Sequence, residues 1–503
     1  MSQPEVRAWD ARTGRWGDTL AHETSAGELA EVVAVAQAAW AELRGLDRSA
    51  RAALLDAMAA ALEADGERIR ALAEQESALG TARIASELGR TTGQLRFLAG
   101  VVREGAYLDA AIDRANPDAV PPVADLRRMH LPLGVVGVFA ASNFPLAFSV
   151  AGGDTASALA AGCAVVVKAH PSHPATSIAV HEALVRAARE TGLTNPPVGM
   201  VFGVDAGLDL VRHPTIAAVG FTGSLGGGQA LMRAIQERES PIPFYGELGS
   251  SNPIVITGSA AAERAEAIGD GLARALTGGA GQFCTKPGIA FVPRGEAGDR
   301  LLAAAVSAMD AVGAQTPLNT MIGERYLAAA NEAGARTAVR TLTATPAPVQ
   351  ERPSVAPTLL EVDAADAGAW VFEEVFGPLG VAVRYDGSEL DSLLQQMPGS
   401  LTASVHLGEG EPVPDGLGEL LALRAGRVIV DGFPTGVAVN WSQQHGGPFP
   451  AATTSQTSVG AAAIGRFVRA VSWQNAPEQL LPVELRDGAA GVPRRVDGVL
   501  VLP

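Results

Sequence analysis

Short apolar runs alternate with helical segments through the middle of the sequence, and this alternation restricts the possible folds most strongly. The apolar runs occupy residues 135–140, 164–169, 198–203 and 216–223. Between them lie helical segments at 149–161 and 174–190 and a short turn at 208–212. Strands that alternate with helices form a parallel sheet with helices on both faces. Because such sheets bind nucleotides at the carboxyl ends of their strands, the pattern predicts an α/β fold with a ligand site at that edge.

A second series of the same kind follows, in keeping with a chain of 503 residues that is too long for one ordinary core. A helix is predicted at 260–276, and strand-like runs lie at 252–256, 288–293, 371–385 and 426–432. These elements predict a second α/β domain.

The regions before and after these two series have different sequence patterns. Ser25 and Glu28 form a capping-box pattern that opens a helix reaching about Arg44, and alanine-rich helices follow. Residues 126–133 then predict a basic strand after a Pro-rich loop. From Gln474 the sequence alternates loosely, which predicts strands that extend to another subunit.

Composition excludes several classes of function. The formal net charge of -16 argues against nucleic-acid binding, which needs a basic face. The N-terminal residues contain no apolar segment of the kind that secretion requires, so we expect a cytoplasmic protein. Residues 131–153 lack charges over roughly the length of a membrane span, but polar residues and a proline interrupt them, so no membrane insertion is expected.

The chain has only two cysteines, which excludes a disulfide framework and a cysteine-based zinc site. His170 and His173 have no third ligand nearby, so we interpret them as surface-loop residues and expect no metal. Cys163, in an apolar run, has the surroundings of an inert buried thiol. Cys284 instead follows a glycine-rich hinge beside Lys286, features that lower a thiol pKa from roughly 8.5 towards neutrality and favour a nucleophile.

Three further features each leave two interpretations open. The glycine-rich segment 221–228 joins a strand to a helix, where it could approach a phosphate or simply allow close packing. Lys168 ends an apolar run and could contact ribose or phosphate oxygens, or reach solvent. Glu247 lies between two glycines and could be a general base, although a turn residue is the simpler interpretation when it is considered alone.

Taken together and in order, these pieces resemble the aldehyde dehydrogenase superfamily over nearly the whole chain. The resemblance is carried by Asn143 in ASNFPL, Lys168 at a strand end, FTGS at 221–224, Glu247 in GELGSSNP, Cys284 in GQFC and EEVFGP at 373–378. The finer texture, including KAHPSHPATS and PIPFYGELGS, is similar to the α-ketoglutarate semialdehyde (2,5-dioxopentanoate) dehydrogenases and the bacterial NADP-dependent fatty aldehyde dehydrogenases.

The resemblance implies two doubly wound parallel α/β domains and a small β oligomerisation arm, assembled as a homodimer or homotetramer. A cofactor-binding domain would span 1–246, interrupted at about 117–133 by an oligomerisation strand segment. A catalytic domain would span 247–440, residues 441–473 would return to the first domain, and 474–503 would form the C-terminal arm.

The resemblance also implies NAD(P)-dependent oxidation of an aldehyde to the acid through a cysteine thiohemiacetal and thioester. Cys284 would attack the aldehyde, Asn143 and the Cys284 backbone N–H would hold the oxyanion, and Glu247 would activate the hydrolytic water. Lys168 would bind the adenosine ribose, Ser224 the pyrophosphate and Glu374 the nicotinamide ribose, while Phe376 would pack near the ring. The other cofactor contacts implied are Ala140, Ser142, Phe221, Thr222 and Gly223. The substrate would be a semialdehyde such as 2,5-dioxopentanoate or a medium-chain aliphatic aldehyde.

Two departures limit this transfer. Pro171 stands where many NAD-preferring relatives have a ribose-binding glutamate, so no carboxylate there would repel a 2′-phosphate, and both NADP and NAD are expected to bind. Some relatives that act on acidic semialdehydes carry an arginine near Ser455, which this chain lacks, and this weakens the dicarboxylic interpretation. The alternatives are a cysteine hydrolase or acyltransferase, with His445 as the partner base, and a non-catalytic member of the fold.

Overall fold

The computed structural model of the protein describes residues 3–344, 354–489 and 491–503. Small parts of the predicted regions 1–246, 247–440 and 474–503 therefore lie outside the described residues. The N-terminal part contains β1 (Glu5–Asp10), β2 (Arg15–His22), α1 (Ala26–Leu43), α2 (Arg48–Ala64), α3 (Gly66–Ser77), α4 (Thr81–Glu104), β3 (Ala110–Asp113) and β4 (Leu126–Pro132). The predicted capping box is confirmed: the Ser25 hydroxyl accepts from the Glu28 backbone N–H, and the Glu28 carboxylate accepts from the Ser25 N–H.

The first parallel sheet follows the predicted strand–helix alternation. Its elements are β5 (Val135–Phe139), α5 (Gly153–Ala161), β6 (Ala164–Lys168), α6 (Pro174–Glu190), β7 (Val198–Val201), α7 (Val204–Arg212), β8 (Ile216–Thr222), α8 (Leu225–Gln236) and β9 (Phe244–Glu247). The strand order is β7-β6-β5-β8-β9, and all neighbours are parallel. The short turn predicted at 208–212 is wrong, because α7 is a helix of nine residues.

The second sheet has seven strands in the order β12-β13-β14-β11-β10-β15-β16. Its elements are β10 (Ile254–Ile256), α9 (Gly258–Thr277), β11 (Ile289–Pro293), α10 (Glu296–Val312), α11 (Thr320–Gly334), β12 (Arg340–Thr341), β13 (Thr358–Asp363), β14 (Leu379–Tyr385), α12 (Gly387–Gln395), β15 (Ser400–His406), α13 (Leu417–Arg424) and β16 (Ala425–Val430). Sequence reasoning missed β15, whose residues SLTASVH alternate like a half-exposed strand although all seven are buried between β10 and β16.

A third sheet joins residues 110–132 to the C-terminal part of the chain. β17 (Val468–Gln474), β18 (Arg494–Val496) and β19 (Val499–Val501) combine with two earlier strands in the order β17-β4-β3-β18-β19. The tail therefore forms strands, as predicted, while the domain boundaries themselves stay a prediction. None of the helices in the described ranges combines the length and the apolar character that a membrane span requires.

A buried ion pair attaches the segment that precedes β17 to the first sheet. Asp154 in the first turn of α5 and Arg466 form this pair, with side chains only 10% and 3% exposed. Arg466 also donates through Nη2 to the carbonyl of Tyr245 in β9 at 2.8 Å. Because β9 ends in Glu247, this contact fixes the far edge of the sheet close to the candidate site.

We predict that Asp154→Ala lowers the free energy of unfolding by about 3–5 kcal/mol, because the buried Arg466 guanidinium then lacks its counter-charge. Urea unfolding followed by circular dichroism measures this change. The matched control is Arg212→Ala, which removes a pair with Glu237 whose side chains are 50% and 65% exposed and should cost at most about 1 kcal/mol. Equal losses in the two variants would contradict the proposed role of the buried pair.

Candidate active site

Cys284 lies directly after a tight turn that follows α9. Three consecutive residues of this turn, Gly279, Ala280 and Gly281, have positive φ angles of 58°, 56° and 67°. A Cβ on Gly281 would lie 2.3 Å from the carbonyl carbon of Gly377, so only glycine fits at that position. The predicted glycine-rich hinge thus exists, and it leaves the Cys284 side chain partly exposed.

Two asparagines hold this loop. Asn143 donates from Nδ2 to the carbonyl of Gln282 at 2.8 Å, which leaves its second amide hydrogen free. Asn252 donates from Nδ2 to the carbonyls of Cys284 and Lys286 at 2.8 and 2.9 Å. No acceptor within the described ranges engages the backbone N–H of Cys284. Two N–H groups are therefore available beside the sulfur for a developing oxyanion.

Glu247, His445 and Cys284 form one buried network. His445 Nε2 lies 2.9 Å from Glu247 Oε1 and 3.6 Å from Cys284 Sγ. Glu247 is 2% exposed and ends β9, so its interpretation as a turn residue is wrong. The sequence suggested His445 only as the base of an alternative hydrolase, and only the fold reveals how close it lies to both groups.

The segment around residues 457–458 supports this network. Ser458 Oγ donates to Glu247 Oε2 at 2.8 Å, and the Ser458 backbone N–H donates to the carbonyl of His445 at 2.8 Å. Thr457 Oγ1 accepts from the His445 backbone N–H at 2.8 Å. Sequence reasoning considered this segment only for the arginine that it lacks near the exposed Ser455. Its buried hydroxyls instead orient the carboxylate and the imidazole.

The network sets the charge states of its members. Burial acts to raise the pKa of Glu247, but His445, Ser458 and Cys284 outweigh it and lower that pKa to about 2. Glu247 is therefore ionised at neutral pH. Since its carboxylate cannot donate, His445 Nε2 must carry a proton to lie 2.9 Å from it.

The prediction that Lys286 lowers the thiol pKa is wrong. Burial and the Glu247 carboxylate raise the pKa of Cys284 well above its ordinary value. Lys286 is itself buried and donates from Nζ to the carbonyl of Leu379 at 2.7 Å. Burial lowers the pKa of Lys286 to about 8, against the opposing effect of Glu374.

The same three side chains could also hold a metal ion, because the ligand atoms of Glu247, Cys284 and His445 all lie within 4.8 Å of one another. Sequence spacing did not indicate this group. A metal bound there would occupy the sulfur and the carboxylate that the chemistry needs.

The predicted cofactor contacts on the first sheet come together at the carboxyl ends of adjacent strands. Phe139, the last residue of β5, lies opposite Lys168 on one side and Phe221 on the other. Ala140 donates its backbone N–H to the carbonyl of Lys168 at 3.1 Å. The remaining members, at the ends of β5 and β8, are Ser142, Thr222, Gly223 and Ser224, and all four are at least partly exposed.

This edge fits a dinucleotide. Ser224 caps α8 by accepting from the Gly227 N–H at 3.3 Å, and a side chain built on Gly226 would meet no atom within 4 Å, so a phosphate could approach the helix N-terminus closely. Burial lowers the pKa of Lys168, and Glu23 opposes this shift. Although Pro171 is exposed and carries no charge, Glu23 brings a carboxylate near Lys168 from a distant part of the chain, which the sequence did not predict.

Glu374 enters the cleft from the second sheet. A Cβ on Gly249 would lie 2.6 Å from Glu374 Oε2, so this carboxylate lies against the loop that follows Glu247. Part of its side chain is accessible, but loss of hydration raises the pKa of Glu374 to about 7 despite the nearby Lys286. Phe376, two residues on, is partly exposed in the same segment.

The interpretation of the two histidines as surface residues is wrong for His173. Its side chain is 1% exposed, and Nε2 lies 2.8 Å from the carbonyl of Ala141 while Nδ1 lies 3.2 Å from Ser177 Oγ. His170 is partly buried and stacks on it with ring centroids 5.5 Å apart. His173 thereby supports the loop that carries Asn143.

Comparisons with known proteins agree with this geometry. The model of the Aldehyde dehydrogenase family matches residues 16–406. The chain is 40% identical to an alpha-ketoglutaric semialdehyde dehydrogenase of Acinetobacter baylyi over 491 residues, 95% of this chain and 92% of the relative. It is 41% identical to alpha-ketoglutaric semialdehyde dehydrogenase 2 of Azospirillum brasilense over 503 residues, 98% and 96% of the two chains. A Burkholderia cenocepacia gamma-glutamyl-gamma-aminobutyraldehyde dehydrogenase structure shares the fold, with a TM-score of 0.79, 22% identity and coverage of 94% of each chain.

We predict that Cys284 of the free enzyme reacts with iodoacetamide more slowly than a free cysteine thiol at pH 8, because the raised pKa leaves less thiolate at that pH. Glu247→Gln should increase the rate, since removal of the carboxylate charge lowers the thiol pKa. Peptide mass spectrometry measures the alkylation of each cysteine, with the fully buried Cys163 as an internal control. A slower reaction in Glu247→Gln would contradict the inferred charge effect.

Proposed function

Because the chain belongs to the aldehyde dehydrogenase family and oxidises aldehydes with NAD or NADP, we propose that its substrate is a short keto-acid semialdehyde such as 2,5-dioxopentanoate. The observation that carries the substrate is the 40% and 41% identity to two alpha-ketoglutaric semialdehyde dehydrogenases over almost the whole chain. The hydrolase and scaffold alternatives are not favoured.

Cys284 is the proposed nucleophile and Glu247 the base that activates it. Glu247 is ionised, and one of its oxygens lies within 4.8 Å of the Cys284 sulfur. The thiol proton moves to the carboxylate as sulfur bonds to the aldehyde carbon, and the carbonyl π pair becomes an oxyanion. The free amide hydrogen of Asn143 and the backbone N–H of Cys284 hold that oxyanion.

His445 is the proposed donor that stabilises the sulfur as the thiol loses its proton. Its Nε2–H lies near both the Glu247 oxygen and the Cys284 sulfur, at 2.9 and 3.6 Å. It can therefore orient the carboxylate in the resting enzyme and stabilise negative charge on sulfur when the thiol ionises. The alternative role of His445 as a hydrolase base is not required.

Bound NAD or NADP supplies the acceptor for the hydride that leaves the aldehyde carbon, and a thioester then remains on Cys284. Glu247, after releasing its first proton to solvent, takes a proton from water as the water oxygen attacks the thioester carbon. The Cys284 thiolate leaves and the carboxylic acid forms. One carboxylate thus acts in both half-reactions.

The proposed cofactor contacts extend across both sheets. Lys168 would bind the adenosine ribose and Ser224, at the start of α8, the pyrophosphate. Glu374 would hold the nicotinamide ribose, with Phe376 near the ring. Glu23 would face a 2′-phosphate and favour a free ribose hydroxyl, whereas Pro171 is neutral.

The proposed assembly is a homodimer or homotetramer formed through the third sheet. This is supported by the exposed apolar edge of β19, where the side chains of Val499, Leu500 and Val501 are 65%, 56% and 42% exposed. We retain the proposed division into residues 1–246, 247–440, 441–473 and 474–503. The expected cytoplasmic location stays a prediction.

We predict that the purified protein reduces NAD or NADP when 2,5-dioxopentanoate is added, as measured by the absorbance of the reduced nicotinamide. Cys284→Ser should lower this rate at least about 10³-fold, because the hydroxyl is a far weaker nucleophile than the thiolate, while cofactor binding measured by fluorescence is kept. Cys163→Ser is the matched control. Absence of reduction with any short or medium-chain aldehyde would refute the proposed function.

We predict that Glu247→Gln and His445→Leu both slow oxidation, but with different pre-steady-state kinetics. His445→Leu should reduce the burst of hydride transfer about 10- to 100-fold, because it removes a hydrogen bond to a charged group. Glu247→Gln should also have a slow burst, and its later turnovers should be slower still, because hydrolysis needs the carboxylate. His445→Gln, which keeps an N–H donor, should recover part of the loss. Stopped-flow absorbance separates the phases, and a full burst in both variants would contradict these roles.

A further inference from the structure

Arg90 is a partly buried cation for which the described residues provide no acidic partner. It lies on α4, and its Nε and Nη2 atoms are buried without a hydrogen-bond partner in the part of the chain that the structure describes. Within the same ranges it forms no salt bridge, whereas Arg83, two turns earlier, pairs with Glu87 at 3.3 Å. Removing an unpaired guanidinium from water is costly, so such a side chain indicates a missing anion.

Arg90 contacts aromatic rings that in turn contact residues beside the sulfur. Its guanidinium carbon lies 4.9 Å from the centroid of the Phe148 ring and 5.7 Å from that of Phe144. Phe148 in turn lies 6.1 Å from the His445 ring, and Phe144 lies 5.7 Å from the Phe283 ring, which directly precedes Cys284. Aromatic contacts therefore connect Arg90 to His445 and to the residue that precedes Cys284.

The charged groups around Arg90 also indicate that an anion is missing there. Burial lowers the pKa of Arg90, and the charges of Cys284, Glu87 and Glu247 oppose that shift. Both oxygens of Glu87 are already engaged, one by the backbone N–H groups of Leu146 and Ala147 at 2.9 and 3.0 Å and the other by Arg83. Glu87 thus does not pair with Arg90, whose positive charge lies beside the aromatic rings of Phe144 and Phe148.

We propose that Arg90 binds the carboxylate of the substrate and makes the enzyme selective for short aldehydes that carry an acid group at the far end. The planar guanidinium presents paired N–H groups that match a carboxylate. The inference rests on the proposed function and supplies, from helix α4, the cation that the sequence lacks near Ser455. Arg427, which also responds to charge on Cys284, donates instead to the carbonyls of Gly436 and Pro434 at 2.9 and 2.7 Å.

The test compares 5-oxopentanoate with pentanal, which differ only in the carboxylate. In the full-length enzyme, Arg90→Gln should lower the ratio of kcat/KM for the acid to that for pentanal about 100-fold, chiefly by raising KM for the acid. Arg90→Lys, which keeps the charge without the planar fork, should lose less. A similar loss for both aldehydes, or an unchanged ratio, would overturn the assignment.

Arg96→Gln is the matched control, because Arg96 lies on the same helix, is 44% exposed and pairs with Glu63. It should keep the wild-type ratio; a fall as large as that in Arg90→Gln would overturn the assignment by attributing the effect to the helix.

An equilibrium experiment separates this inference from the proposed function. Glutarate, a dicarboxylate that cannot be oxidised, should slow alkylation of Cys284 by iodoacetamide in the wild type but not in Arg90→Gln. Equal protection of both proteins would overturn the assignment. If the wild type oxidised neither aldehyde but Arg90-dependent protection were observed, the proposed function would fail while the carboxylate site would stand.

Discussion

The buried carboxylate of Glu247 is the constraint on which the active site depends. Hydrogen bonds from His445 and Ser458 keep it ionised in an environment where burial alone would protonate it. Those donors come from a segment about two hundred residues later, and the Asp154–Arg466 pair fastens the chain beyond that segment to the same sheet. The stability of the fold and the charge of Glu247 therefore depend on the same segment, residues 445–466.

The site lies where the first sheet meets the second, which is parallel except for its β12–β13 pair. The first sheet contributes the dinucleotide edge, Asn143 and Glu247, and the loop between α9 and β11 of the second sheet contributes Cys284. Asn143 crosses the junction by donating to Gln282, and Glu374 lies against the loop after Glu247. Cys284 at this junction is partly exposed, whereas Cys163 is buried.

The negative and positive groups around the sulfur lie in different places. Glu247 lies against it and holds the thiol protonated in the free enzyme, whereas Arg90 lies beside the aromatic rings of Phe144 and Phe148 and lacks an acidic partner among the described residues. A resting thiol that ionises only as it attacks is less exposed to adventitious oxidation. The unpaired cation adds an attraction for acidic substrates without forming an ion pair with the sulfur itself.

The sequence by itself determined the α/β class, four strands of the first sheet and four of the second, the Ser25 capping box and a candidate nucleophile, because periodicity and short motifs are local properties of the chain. Only the tertiary structure decided the environment of that nucleophile. His445 lies 161 residues from Cys284, and Arg90, Ser458 and Glu23 are equally remote from the motifs that they serve. Contacts between distant segments leave no local pattern. The strand β15 was missed because its sequence contains polar residues, and its burial is caused by the neighbouring strands β10 and β16. Charge states follow from those neighbours too, so the thiol pKa could not be derived from Lys286 alone.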